Sequence, residues 1–163
     1  MDSLPDFQRV DPRTKLLWRI GNAIGFGILV LLFGGFGFLA SHNQVPVVAS
    51  VLWGIAGLWL VWGLFLIVRY PELAYEKSGW AVEENVLWIR SGVWWQITQL
   101  LPLSRLQHID LKRGPLERRM GLATLTLHTA GTHAATLTLS GLSVEAAEQL
   151  RDTLVAAGGD DGV

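Results

Sequence analysis

The 163-residue chain contains no cysteine, which removes disulfides, thiolate metal sites and cysteine nucleophiles together. It is also short of charge. Only 17% of residues are charged, half are hydrophobic, and mean hydropathy is +0.35, too apolar for an 18.0 kDa soluble domain with a polar surface. A formal net charge of −1 and a pI of about 6.4 argue against general affinity for nucleic acid, and the hydrophobic content argues against disorder.

The missing charge has an address. From residue 20 to residue 68 there is no Asp, Glu, Lys or Arg, so all 13 basic and 14 acidic residues lie outside that stretch. A bilayer-spanning helix takes roughly 20 apolar residues. Two such helices and a tight connection fit the gap; one or three do not. The polar but uncharged run Ser41-His42-Asn43-Gln44-Val45-Pro46 divides it, with Pro46 suited to the first turn of a new helix. The expected spans are 17–40 and 47–68. A buried hairpin in a soluble protein is the competing reading, but nothing else in the chain is large enough to bury two all-apolar helices. A cleaved signal peptide competes for the first span alone. Its apolar stretch is longer than a signal core, and a second span follows directly.

Arg9, Arg13 and Lys15 precede the first span and Arg19 lies in its first turn, Arg69 follows the second, and the connection has neither Lys nor Arg. The positive-inside rule then puts both termini in the cytoplasm, with Trp18 and Tyr70 as interfacial aromatics. Many of the 18 glycines fall in the hairpin, among them Gly21 and Gly25 at GxxxG spacing. Small residues let helices approach closely in lipid, which serves either packing of the two spans on each other or a homo-oligomer seam.

Beyond Arg69 the apolar pattern begins to alternate, as half-buried strands do. Candidate strands cover 80–84, 86–90, 93–101, 106–112, 122–129 and 135–139, with turns at Asn85, Ser91-Gly92, Gly114-Pro115 and 130–133. In the third strand Trp95 is expected to face the core with Val93 and Ile97, and Trp94 to face outward. In the fourth, Leu106, His108 and Asp110 are expected to share a face. Ser143 is a plausible N-cap for a closing helix whose apolar stripe is Val144, Ala147, Leu150 and Leu154. The organisation expected is therefore a cytoplasmic segment 1–16, a transmembrane hairpin 17–68, a β domain 69–157 and a flexible tail 158–163.

The chemistry expected is binding rather than catalysis. His42, His108, His128 and His133 show no metal-ligand spacing, and no nucleophile elbow, phosphate loop or dinucleotide fingerprint occurs. His108 and Asp110 are the one pair placed to act as a base and its orienter, against the simpler reading of a hydrogen bond along a strand; His128 reads as solvated. No catalytic residue, metal ligand or cofactor is expected. Lys112, Arg113, Arg118 and Arg119 cluster around Gly114-Pro115, offset by Glu117, with Arg105 upstream. They either contact an anionic leaflet or a partner, or keep the turn soluble by pairing with Glu117 and Asp110. Trp94 offers a second contact surface, in a headgroup layer or a partner's pocket, unless it packs on Trp88.

Several runs taken in order carry a resemblance. After the apolar hairpin come Arg69-Tyr70, Leu87-Trp88-Ile89-Arg90-Ser91-Gly92, and Leu101-Pro102-Leu103-Ser104-Arg105-Leu106-Gln107-His108-Ile109-Asp110. Gly114-Pro115-Leu116-Glu117-Arg118, Gly121-Leu122-Ala123, Thr129-Ala130-Gly131 and Gly141-Leu142 complete the set. Together they resemble the YdbS-like family of bacterial membrane proteins with a bacterial pleckstrin-homology (PH) domain, the Pro-x-Ser-Arg-x-Gln-His run being the most specific part. The resemblance implies an α+β membrane protein: a two-helix transmembrane hairpin, then a PH-like antiparallel β-barrel or sandwich capped by a C-terminal helix, at the inner face of the plasma membrane. It implies a non-enzymatic adaptor, working beside a partner such as a larger membrane protein with several PH-like domains. A sensor of anionic lipid or envelope stress, reading the leaflet through the 112–119 turn, is the alternative. An enzyme subunit built on His108 and Asp110 is a weaker third.

Overall fold

The computed structural model describes residues 5–129 and 136–159. They form two compact units. One runs from the N-terminal segment to Leu17 and resumes at Leu73; the other is Trp18–Glu72.

The second unit is helical. Helix α1 (Thr14–His42) and helix α2 (Pro46–Lys77) are each long and apolar enough to cross a membrane, with a mean hydropathy of 2.3 in their most apolar windows. The expected spans 17–40 and 47–68 lie inside these helices. Side chains such as Leu31, Val47, Leu58 and Val61 stay largely exposed, the arrangement of helices whose solvent is lipid. The polar break closes tightly on Gln44, which takes a left-handed φ of 57°, and α2 does begin at Pro46. A Cβ on Gly63 would lie 2.8 Å from Phe26, and one on Gly37 3.4 Å from Leu52 and Trp53, so these glycines carry the close approach of α1 and α2. Gly21 and Gly25 face open space, so their GxxxG spacing does not serve that packing. Arg19 pairs with Glu72 at 2.7 Å.

Helix α2 runs beyond the expected boundary at 69–71. Pro71 removes one intrahelical hydrogen bond, but Glu72-Leu73-Ala74-Tyr75-Glu76-Lys77 are adequate helix formers and the helix continues to Lys77. Apolar content stops at Val68; helical conformation does not.

The first unit contains two antiparallel sheets. Sheet one is ordered β1 (Gln8–Arg9), β2 (Gly79–Glu83), β3 (Val86–Ser91), β4 (Ile97–Pro102). Sheet two is ordered β5 (Leu106–Lys112), β6 (Leu122–Thr129), β7 (Thr136–Ser143). A 3-10 turn at Leu103–Arg105 joins them, the short helix α3 (Pro115–Met120) links β5 to β6, and α4 (Val144–Gly159) follows β7. Leu87, Ile89 and Leu101 from sheet one, Ala123, Leu125, Leu127, Leu137, Leu139 and Leu142 from sheet two, and Ala147, Leu150 and Leu154 from α4 form one buried cluster. Each buried leucine stabilises the unit by about 1.5–3 kcal/mol. Ser143 caps α4 as expected, its Oγ accepting from the Ala146 N–H at 3.1 Å. The helix reaches Gly159, into the stretch expected as tail; residues 160–163 and the 130–133 turn with His133 lie outside the described residues.

The N-terminal segment is woven into this unit. Gln8 and Arg9 pair with Trp80 and Gly79, Val10 is buried, and the Asp11 N–H donates to the Gly141 carbonyl at 2.7 Å. Thr14, fully buried, donates its hydroxyl to the same carbonyl at 3.0 Å. The Asp11 carboxylate accepts from the Arg13 guanidinium, which holds its pKa below the usual carboxylate value, and Arg13 also donates to the Met120 carbonyl.

Two bulges reset the alternation. Leu106 pairs with Thr129 and His108 with His128, so Gln107 is an extra residue and Leu106 turns to the core side with Ile109 and Leu111. Leu106 therefore does not share a face with His108 and Asp110, contrary to expectation. In β7, two residues lie opposite Thr124, and Gly141 takes φ +80° there.

Candidate functional site

The basic turn is a helix. Gly114 caps α3 and Pro115 opens it, where a missing N–H costs nothing. Glu117 folds back, one carboxylate oxygen accepting from the Gly114 N–H at 2.6 Å and the other from the Thr124 hydroxyl at 2.7 Å. Gly121, at φ +66°, ends the helix. This settles what Glu117 does: it holds α3 to β6 and caps it, and so is not the partner of Arg118 or Arg119. Lys112 Nζ lies 3.7 Å from Asp110, a loose pairing. Arg113, Arg118 and Arg119 are exposed and form no ion pair among the described residues. Lys112, Arg113, Arg118 and Arg119 thus stand on one short stretch of rigid structure.

Arg105 is not with them. It closes the 3-10 turn before β5, whereas Lys112 ends that strand, and seven residues at about 3.3 Å each put roughly 20 Å between them.

Trp94 is exposed, as expected, but Trp95 is not in the core. Strand β4 begins only at Ile97, and residues 92–96 form a bent loop outside the strands. Gly92 sits at φ +103°, where a Cβ would collide with the Trp95 carbonyl oxygen, so the loop closes only on glycine. Val93 is buried and its carbonyl accepts from Lys77 Nζ at 2.9 Å. Past that anchor strand alternation no longer applies. Trp94 is 74% and Trp95 84% exposed, and Trp88 has Leu100 rather than Trp94 as its cross-strand neighbour.

The pair His108 and Asp110 is a trio. His108 Nε2 lies 2.8 Å from one Asp110 oxygen and His128 Nε2 3.1 Å from the other, with the two imidazoles 5.7 Å apart. The hydrogen bond from His128, then that from His108, holds the Asp110 carboxyl below its usual pKa. His128 is not simply solvated as expected: the β5–β6 register sets it opposite His108, and that register cannot be read from either strand alone. The trio lies on the outward face of sheet two, open to water, where general acid–base chemistry would lack the enclosure that strengthens it. An open cleft of about 370 Å³ borders His108, between β5 and Arg151, Leu154 and Val155 of α4. No group of three or more potential ligands suited to a metal ion is present among the described residues.

Two long apolar helices followed by two antiparallel sheets and a C-terminal helix define a membrane-anchored PH-like protein, and the sequence comparisons agree. Residues 26–157 match the Bacterial PH domain family, and the chain belongs to that family. It is 26% identical over 147 residues, covering 90% of this chain and 89% of the relative, to UPF0699 transmembrane protein YdbS of Bacillus subtilis (strain 168). No solved structure matches. The chain is thus a YdbS-like membrane protein with a bacterial PH domain.

Proposed function

We propose that this protein is a non-enzymatic adaptor of the bacterial plasma membrane. Both termini lie in the cytoplasm, the hairpin anchors the chain, and the PH-like domain binds a second membrane protein, such as a larger one carrying several domains of the same kind. The observation that carries the reading is the face of α3. Arg118 and Arg119 on it, and Arg113 just before it, are exposed and form no ion pair among the described residues, while Glu117, the carboxylate that would neutralise them, is committed to the cap and to Thr124. Unpaired guanidiniums suit carboxylates or phosphates on a partner, which they bind in bidentate fashion; the backbone that carries them is already ordered, so binding costs only the rotamer freedom of the side chains. The open histidine–aspartate trio is read as a structural tie across β5 and β6.

The test is co-purification of the full chain from native membranes in mild detergent. A partner is expected to accompany the wild-type chain and to be lost from the Arg113→Glu/Arg118→Glu/Arg119→Glu variant. Recovery of the wild type as an isolated monomer would overturn the proposal.

The same unpaired arginines favour one other reading, a sensor of anionic lipid; basic residues near such a leaflet contribute about 1 kcal/mol each. It requires that the α3 amides of the full chain in nanodiscs gain hydrogen-exchange protection when phosphatidylglycerol is present. The triple variant should show no such gain.

A further inference from the structure

The exposed apolar surface of the β domain is concentrated in one place. Among the described residues after Glu72, the exposed large hydrophobic side chains are Trp94, Trp95, Ile97 and Leu100, together with Val155 on α4. The first four belong to the 92–96 loop and to β4, the last strand of its sheet. No Asp, Glu, Lys or Arg lies between Arg90 and Arg105. A sheet edge is ordinarily guarded by charge, and this one carries none along its length.

Three basic side chains flank the loop, of which Arg9 is exposed while Arg90 stacks on the Phe7 ring. Lys77 is bonded to the Val93 carbonyl at its base. The register Arg9 to Gly79 to Arg90 to Thr98 brings two arginines to the same end of the sheet. Glu83 and Glu84 turn at the opposite end of the β2–β3 hairpin, leaving Glu76 as the acidic neighbour in sequence. Two indoles with neutral Gln96 and Thr98 beside them and cations behind them match a headgroup layer. There the ring prefers the boundary between hydrocarbon and water, and the exposed Arg9 meets anionic lipid.

We propose that Trp94 and Trp95 seat in the headgroup layer of the bilayer that holds the chain's own helices, making the 92–96 loop a second membrane contact of the β domain. The chain is a membrane protein, so this surface meets its bilayer at high effective concentration, and two side chains suffice where a free domain would need more. The inference does not rest on the adaptor reading, which concerns α3.

The absence of cysteine makes the test direct. A nitroxide is placed at Gln96→Cys, between the indoles and β4, and separately at exposed Ser140→Cys in β7. The full chain is reconstituted in vesicles of phosphatidylethanolamine and phosphatidylglycerol. The ratio of collisions with oxygen to collisions with a water-soluble nickel complex is expected to be several-fold higher at 96 than at 140. It should fall to the value at 140 when Trp94→Ser and Trp95→Ser are added, with near-ultraviolet circular dichroism checking that the fold persists. Equal ratios at the two positions in the otherwise unchanged chain would overturn the proposal. So would a label at 96 shielded from both reagents and broadened by a second label, since the loop would then be covered by another copy of the chain.

Discussion

Gly141→Ala probes how the N-terminal segment is locked to the β domain. A Cβ at this position would sit 2.5 Å from Thr14 Oγ1 and 2.6 Å from Thr14 Cγ2, against a side chain with no exposed surface. The left-handed backbone at φ +80° costs a residue other than glycine about 1–2 kcal/mol. Forcing a methyl into a filled site adds about 1–3 kcal/mol. The sum, about 2–5 kcal/mol, corresponds to a loss of roughly 30-fold to several-thousand-fold in hydrogen-exchange protection of the Leu125 and Leu139 amides in the full chain. Thr14→Ala alone forfeits the buried hydroxyl bond to the Gly141 carbonyl, a cost of about 1–2 kcal/mol. In the double variant the two methyl-sized clashes at Oγ1 and Cγ2 are gone, leaving mainly the backbone term. A favourable coupling of at least about 1 kcal/mol is therefore expected. Additive effects within about 0.5 kcal/mol, or a Gly141→Ala cost below that, would refute the reasoning.

Glu117→Ala should free the Gly114 N–H and the Thr124 hydroxyl at once, costing about 1–2 kcal/mol and speeding amide exchange across α3. Glu117→Gln should recover part of it; unchanged α3 exchange in the alanine variant would show that the cap is idle. Asp110 titrates below its ordinary 3.8 in the folded chain because His128 and His108 donate to its carboxylate. Its contribution to stability is therefore complete above about pH 3.8 and lost as pH falls through the lower folded value. Unfolding midpoints measured against pH should show a shallower acid limb for Asp110→Asn than for the wild type, and the difference should shrink with salt because the site is exposed.

The amino-acid sequence alone determined the two apolar helices, because a run without charge long enough to cross a bilayer has few other uses and Pro46 marks where it turns. It also determined that strands follow and a capped amphipathic helix closes the chain: period-2 and period-3.6 patterns are local properties, legible in Leu125 and Leu127 and in Ala147, Leu150 and Leu154. It located the basic cluster but not its state. That Glu117 caps α3 instead of neutralising Arg118 and Arg119 depends on Thr124, which another strand supplies. The tertiary structure alone decided the rest. A two-residue strand such as Gln8–Arg9 has no period to detect, His128 meets Asp110 only through the β5–β6 register, and the Gln107 bulge turns Leu106 inward. The exposure of Trp95 follows from one left-handed glycine and one lysine bond. Alternation fixes which face a side chain takes only while the chain remains a strand, and where it stops being one is settled by contacts distant in sequence.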